Sequence, residues 1–177
     1  MLVFLDEVVG KGEFATVFVA SATHEAGMVP VVVKVYRSLG TAKKNDVIRE
    51  MCLAECQAYE LAMASDELRQ HVPQFFGRIE LDAVRDRSTN ADQTGFVLDA
   101  AIVLERLPGT PKKYQDLTRE ESQIAEALFD RFYEAGIRSV ADGSILFGPE
   151  EGQTRLIDFA VREVAASYWS TLREPDV

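Results

Sequence analysis

Two glycines, one lysine and one late aspartate are the residues of this chain best placed by type and spacing to do chemistry. The first three lie together: Gly10-Lys11-Gly12-Glu13-Phe14-Ala15-Thr16-Val17 opens the stretch and Val31-Val32-Val33-Lys34 closes it. Glycines let a backbone come close to an anion, because no Cβ stands in the way. The N–H groups of such a turn can then point at the anion's oxygens. A lysine on a neighbouring strand adds a full positive charge to the same oxygens. The chemistry this combination suits is phosphate binding; the bland alternative is an ordinary Gly-x-Gly hairpin. Asp158 ends the apolar run Leu156-Ile157. An aspartate so placed can hold a Mg²⁺ that bridges two phosphates, or it can simply cap the segment that follows.

The elements around these residues narrow the choice. Dinucleotide fingerprints and P-loops need a helix straight after their glycines, whereas here a β-branched strand follows. Strands are expected over residues 2–9, 14–21 and 31–36, with a polar hairpin connection over 23–28. The near-continuous apolar run of the third suggests burial on both faces. Residues 41–65 read as a long helix, with Val47, Ile48, Met51, Ala54, Cys56, Ala58, Tyr59, Leu61 and Ala62 at helical spacing. A fourth strand is expected from His71 to about Val84, a polar, turn-rich segment from Asp86 to Gly95, and a fifth strand from Phe96 to Leu104. A second helix over 118–135 starts at the capping box Thr118-Arg119-Glu120-Glu121, buries Ile124, Leu128, Phe129 and Phe132, and ends at Gly136. Two short strands, 144–147 and 154–158, flank a Gly-Pro-containing turn.

Composition excludes some classes. With 177 residues and 47% apolar content the chain can bury an ordinary core as one domain or two small lobes. A net charge of −10 argues against a general nucleic-acid or anionic-membrane binder. No apolar run approaches the roughly 20 residues that span a bilayer. Asp6-Glu7 and the lack of a basic segment argue against a signal peptide. Cys52 and Cys56 lack the partners of a zinc pattern and read as buried thiols. A cytoplasmic or nuclear location is expected.

Strand, glycine turn, strand and lysine strand in that order resemble the amino-terminal lobe of protein kinases, whose glycine loop reads Gly-x-Gly-x-x-Gly-x-Val and whose third strand reads Val-Ala-Ile-Lys. The resemblance places Gly10, Gly12 and Val17 in the loop and Lys34 on the strand. Ala15 stands at the third glycine, and Val32 replaces the alanine under the adenine. It further implies that Glu55, 21 residues past Lys34, pairs with that lysine; otherwise Glu55 is a solvated helix residue like Glu50 and Glu60. Leu104-Glu105-Arg106-Leu107-Pro108-Gly109 resembles the hinge, where main-chain groups near Glu105 and Leu107 would meet the adenine edge; a strand ending at a Pro-Gly turn reads equally well. Leu156-Ile157-Asp158-Phe159 resembles the Asp-Phe-Gly segment.

The departures lie between residues 136 and 146. The family's Gly-Ile/Val-x-His-x-Asp-x-x-x-x-Asn-Ile-Leu run corresponds to Gly136-Ile137-Arg138-Ser139-Val140-Ala141-Asp142-Gly143-Ser144-Ile145-Leu146. Ser144 falls at the metal-binding asparagine and Ser139 at the catalytic aspartate. The only two histidines of the chain, His24 and His71, are elsewhere. Asp142 is the one carboxylate available as a displaced base, or part of an ordinary Ala-Asp-Gly-Ser turn. Nineteen residues follow Asp158, which implies a shortened lobe.

The expectation is an α+β, protein kinase-like fold: a five-stranded antiparallel sheet with one helix over residues 1–106, then a reduced helical lobe over 107–177. The function implied is an ATP- and Mg²⁺-binding phosphotransferase-like protein with weak or no transfer. The alternative is a pseudokinase interaction module that binds a protein partner and needs no nucleotide.

Overall fold

The computed structural model describes residues 2–24, 27–80, 84–86, 95–137, 144–148 and 153–159. In chain order the elements are β1 (Val3–Lys11), β2 (Ala15–His24), β3 (Gly27–Arg37), α1 (Ala42–Ala64), a 3₁₀ turn (Arg69–His71), β4 (Phe75–Ile79), β5 (Val84–Asp86), β6 (Phe96–Glu105), β7 (Lys112–Lys113), a second 3₁₀ turn (Tyr114–Asp116), α2 (Arg119–Glu134), β8 (Ser144–Leu146) and β9 (Arg155–Ile157). The architecture is mixed α+β with a mostly antiparallel sheet. No helix among the described residues is long and apolar enough to cross a membrane. The chain divides into two compact units, with the boundaries falling inside α1, between Leu53 and Ala54, at the start of β4, and after Arg106.

The first unit is built on β-branched alternation. In β3, Val31, Val33 and Val35 point to one side and are buried with Val3, Leu5, Phe18, Ala20, Ala22, Ala101 and Val103. Val32 and Lys34, on the other side, are half-buried. The sheet is six-stranded, ordered β4-β6-β3-β2-β1-β5, rather than five-stranded, and β5 runs parallel to β1. A three-residue strand carries too little alternation to be read from sequence. β2 and β3 pair from His24↔Gly27 to Ala15↔Tyr36, so the hairpin extends over most of the connection expected at 23–28. β1 extends past Val9 to Lys11 and carries two bulges, at Asp6 and Val9, where its register against β2 slips. The turn-rich segment expected over 86–95 lies outside the described residues, apart from its two ends.

The first half of α1 belongs to this unit. Asn45 Oδ1 accepts the Leu39 N–H at 2.9 Å, which fixes the entry to the helix. Val47, Ile48, Met51 and Cys52 are buried. Arg49 Nε donates to both Asp99 oxygens at 2.8 and 3.0 Å, tying α1 to β6.

The second unit is only partly helical. Beside the rest of α1 and α2 it holds a three-stranded sheet, ordered β7-β8-β9. The Thr118 capping box closes as expected, with Thr118 Oγ1 accepting from Glu121 N–H and Glu121 Oε2 accepting from Thr118 N–H. The buried stripe of α2 is Ala125, Leu128 and Phe132, while Ile124 is exposed and Phe129 half-buried. Leu128 and Phe132 thus lie on the expected face, and Ala125 is buried there in place of Ile124. On α1, Leu61 likewise proves exposed and Tyr59 fully buried. His71, expected to begin a strand, instead ends the 3₁₀ turn. Its Nδ1 donates to the Thr154 carbonyl at 3.0 Å, and β4 begins only at Phe75.

Candidate functional site

In the first unit the glycine turn and the lysine strand are brought into one row. Gly10 pairs with Val17, Val17 with Lys34, and Lys34 with Ile102. Directly opposed residues of antiparallel strands put their side chains on the same face, so Gly10, Val17, Lys34 and Ile102 share a strip across four strands. The Lys34 ammonium sits 5.3 Å from the centroid of the Tyr36 ring, two residues along the same face. Gly12 N–H donates to Ala15 O at 2.8 Å and closes the turn.

Neither glycine of the turn is required by the fold. Neither adopts a left-handed φ. A Cβ built on Gly10 would meet Val17 Cβ at 3.5 Å, and one on Gly12 would meet Ala15 O at 3.5 Å, both ordinary contacts. Glycine within a strand weakens it, and often marks a place where a ligand or another backbone comes close. Val9, which sequence reasoning left out of the site, sits at the bulge next to Gly10 and is 55% exposed. Bulges re-aim side chains in this way. Its only sequence signal was an apolar residue at the mouth of a glycine turn. Glu105 ends β6 opposite Val31 and is exposed.

In the second unit a buried aromatic group holds Asp158. Tyr59 stacks on Phe75 at 5.6 Å and meets Phe159 edge-on at 4.7 Å, and Phe159 in turn lies 5.7 Å from Phe132. The Tyr59 hydroxyl accepts the Asp158 backbone N–H at 3.2 Å. Asp158 is the only described non-glycine residue at positive φ, +70°. A residue in that region costs of order 1–3 kcal/mol, and such residues cluster at functional sites. Phe159 in its buried pocket and the Tyr59 hydroxyl hold the strained residue from both sides. The sequence had placed Tyr59 on the buried face without assigning its hydroxyl a task.

Glu55 lies one helical turn before Tyr59 and is fully buried, so the solvated-helix reading is wrong for it; Glu50 and Glu60 are exposed. Burial, and then the Glu55 charge, push the Tyr59 hydroxyl well above its usual pKa. It therefore stays protonated at neutral pH.

Ser144 is buried on β8, opposite Ile157 on one side and Lys113 on the other. Lys113 Nζ lies 3.5 Å from Asp158 Oδ2, a contact with no sequence signal beyond a Lys-Lys pair. Leu107 is half-buried. Gly109 follows it at φ +110°, where an added Cβ would stand 2.9 Å from Leu146 Cδ1. Asp142, the candidate base, and Ser139 lie outside the described residues. Among the described residues no group of three or more His, Cys, Asp or Glu could hold a metal ion. What Asp158 and Ser144 offer is one carboxylate and one neutral hydroxyl. A single carboxylate would hold Mg²⁺ only together with several waters and phosphate oxygens. No family model matches this sequence, and no curated protein matches it either.

Proposed function

We propose that the chain is a protein kinase-like, ATP-binding protein with weak or no phosphoryl transfer. The observation that carries the reading is the row Gly10–Val17–Lys34. It aligns a lysine with a glycine turn whose missing side chains the fold itself does not need. In this reading Gly10 and Gly12 cover the phosphates, Val17 packs on the base, Lys34 holds the phosphates, and Glu55 orients Lys34. Main-chain groups at Glu105 and Leu107 meet the adenine edge. Asp158, with Ser144, holds Mg²⁺, which neutralises phosphate charge when bound.

The fully buried Glu55 and the strained Asp158 support the same reading from the second unit. A buried carboxylate needs a cation or donors, or else it must be protonated. The Lys113–Asp158 pair favours the second reading, a pseudokinase module that works without nucleotide, because it already neutralises Asp158 from within the chain.

Thermal unfolding with and without Mg-ATP separates the two. A ligand that binds only the folded state stabilises it by mass action, by about 2.7 kcal/mol at a hundred times its dissociation constant. The nucleotide reading expects a rise in Tm that saturates with ATP and is smaller in Lys34→Met than in Lys11→Met. A Tm that stays flat into the millimolar range leaves only the module.

A further inference from the structure

We propose that Tyr36 is a positioning residue for Lys34, its ring holding the lysine ammonium in place for a bound phosphate. The inference rests on the reading of Lys34 as the phosphate-holding lysine.

Both residues lie on β3, two apart, so the pleat sets their side chains on one face. That face carries the row Gly10–Val17–Lys34. The Lys34 ammonium stands over the Tyr36 ring, 5.3 Å from its centroid. This is inside the roughly 6 Å at which a cation is drawn to an aromatic face. The ring is the fixed partner of the two: Tyr36 is 2% exposed, whereas Lys34 is half-buried. Opposite Tyr36 on β2 is Ala15, whose small side chain leaves the ring room on that face. Toward β6 the register slips between Val35 and Arg37, and such slips re-aim side chains. Just past the ring, Arg37 N–H donates to Phe14 O at 2.8 Å and holds the end of the strand.

A long lysine side chain loses much rotamer freedom when it is ordered. A ring that already holds the ammonium means that part of this ordering precedes the phosphate, which favours binding. A carboxylate partner would orient the ammonium too, but it would also neutralise it. A ring attracts through its quadrupole and leaves the positive charge whole for the phosphate oxygens. A partly exposed pair of this kind changes an affinity by about two- to fivefold, and that is the effect expected here.

The test has two readouts on the full chain, with circular dichroism and Tm confirming that each variant is folded. Because the ring is buried, Tyr36→Met replaces Tyr36→Leu should the latter not fold. The first readout is NMR of lysine-labelled protein, with the Lys34 signal assigned by its loss in Lys34→Met. The Lys34 Hε protons should be shifted upfield by the ring current in the parent and in Tyr36→Phe, and should return to the ordinary lysine position in Tyr36→Leu. The second is calorimetric titration with Mg-ATP. Tyr36→Phe should bind like the parent, Tyr36→Leu about two- to fivefold more weakly, and Lys34→Met more weakly than either. Unshifted Lys34 protons in the parent overturn the positioning role. So does a Tyr36→Leu that binds as tightly as the parent while Lys34→Met binds weakly, and Lys34 then remains the phosphate lysine. If Lys34→Met binds Mg-ATP as the parent does, or the parent does not bind it, the reading of Lys34 falls and the positioning role falls with it.

Discussion

A carboxylate withdrawn from water is tolerated only when a cation, hydrogen-bond donors or a proton compensates it. Glu55 is withdrawn and its neighbours Glu50 and Glu60 are not. Helical spacing alone could not separate the three, because all lie on one helix whose apolar face is broad; only the family resemblance singled out Glu55. Tyr59 was legible as a core residue from its spacing, but its hydroxyl was not, since no local pattern announces a bond to a residue 99 positions away. Tyr59→Phe keeps the ring contacts with Phe75 and Phe159 and removes only the acceptor for the Asp158 N–H. Leaving a backbone donor without its acceptor costs about 1–3 kcal/mol, and urea unfolding should report a loss in that range. The variant should also unfold with a shallower alkaline limb. The Tyr59 pKa is raised in the folded state by burial first and by Glu55 second. Its contribution is therefore fully present below the unfolded tyrosine value of about 10 and is lost as pH rises above it. Without the hydroxyl that loss disappears. An unchanged alkaline limb in Tyr59→Phe would show that the hydroxyl is not held as described.

At the scale of elements, the parts with long periodic runs were legible, and so were the short strands β8 and β9, expected at 144–147 and 154–158, while β5 and β7 were not. Val31 to Val35 announced β3, and Thr118 with Glu121 announced the start of α2 to the residue. β5, β7, β8 and β9 have two or three residues each, and their pairing is decided by distant partners rather than by their own pattern. For that reason β7 was missed, and the two short strands expected after α2 were not read as part of a three-stranded sheet. The glycine turn is the reverse case: its sequence was conspicuous, and the fold gives it no structural need. Gly10→Ala and Gly12→Ala should accordingly leave the fold intact, with Tm unchanged or slightly raised, because each reduces the freedom of the unfolded chain. In the proposed function both should weaken ATP binding, since the new Cβ stands where the phosphates approach. Fluorescent-nucleotide titration checks this. Normal binding in both variants would mean that the turn is only a hairpin. The opposite contrast is Gly109→Ala, where φ is +110° and Leu146 is already too close. That variant should lose stability by more than the turn variants gain.

For the molecule as a whole the open matter is chemistry, and slow or absent phosphoryl transfer is expected. The segment from Gly136 to Ser144 has neither histidine nor aspartate where the kinase pattern has them. A positioned base is worth about 10² to 10⁴ in rate. In the proposed function Ser144 would offer a buried, neutral and shorter hydroxyl in place of an amide oxygen, and Lys113 Nζ lies 3.5 Å from Asp158 Oδ2. Each of these differences weakens the positioning of metal and phosphate on which such transfer depends. Asp142 is the one group that could restore a base. The measurement is ATP turnover with a generic protein acceptor in the parent, Asp142→Asn and Asp158→Asn. The expected outcome is that ATP binds, as the Tm shift reports, while turnover in the parent stays at least a hundredfold below the roughly 1–100 per second of ordinary kinases. Asp142→Asn should then change nothing. A parent that turns over at ordinary rates, together with an Asp142→Asn variant that does not, would overturn this expectation and make Asp142 the base.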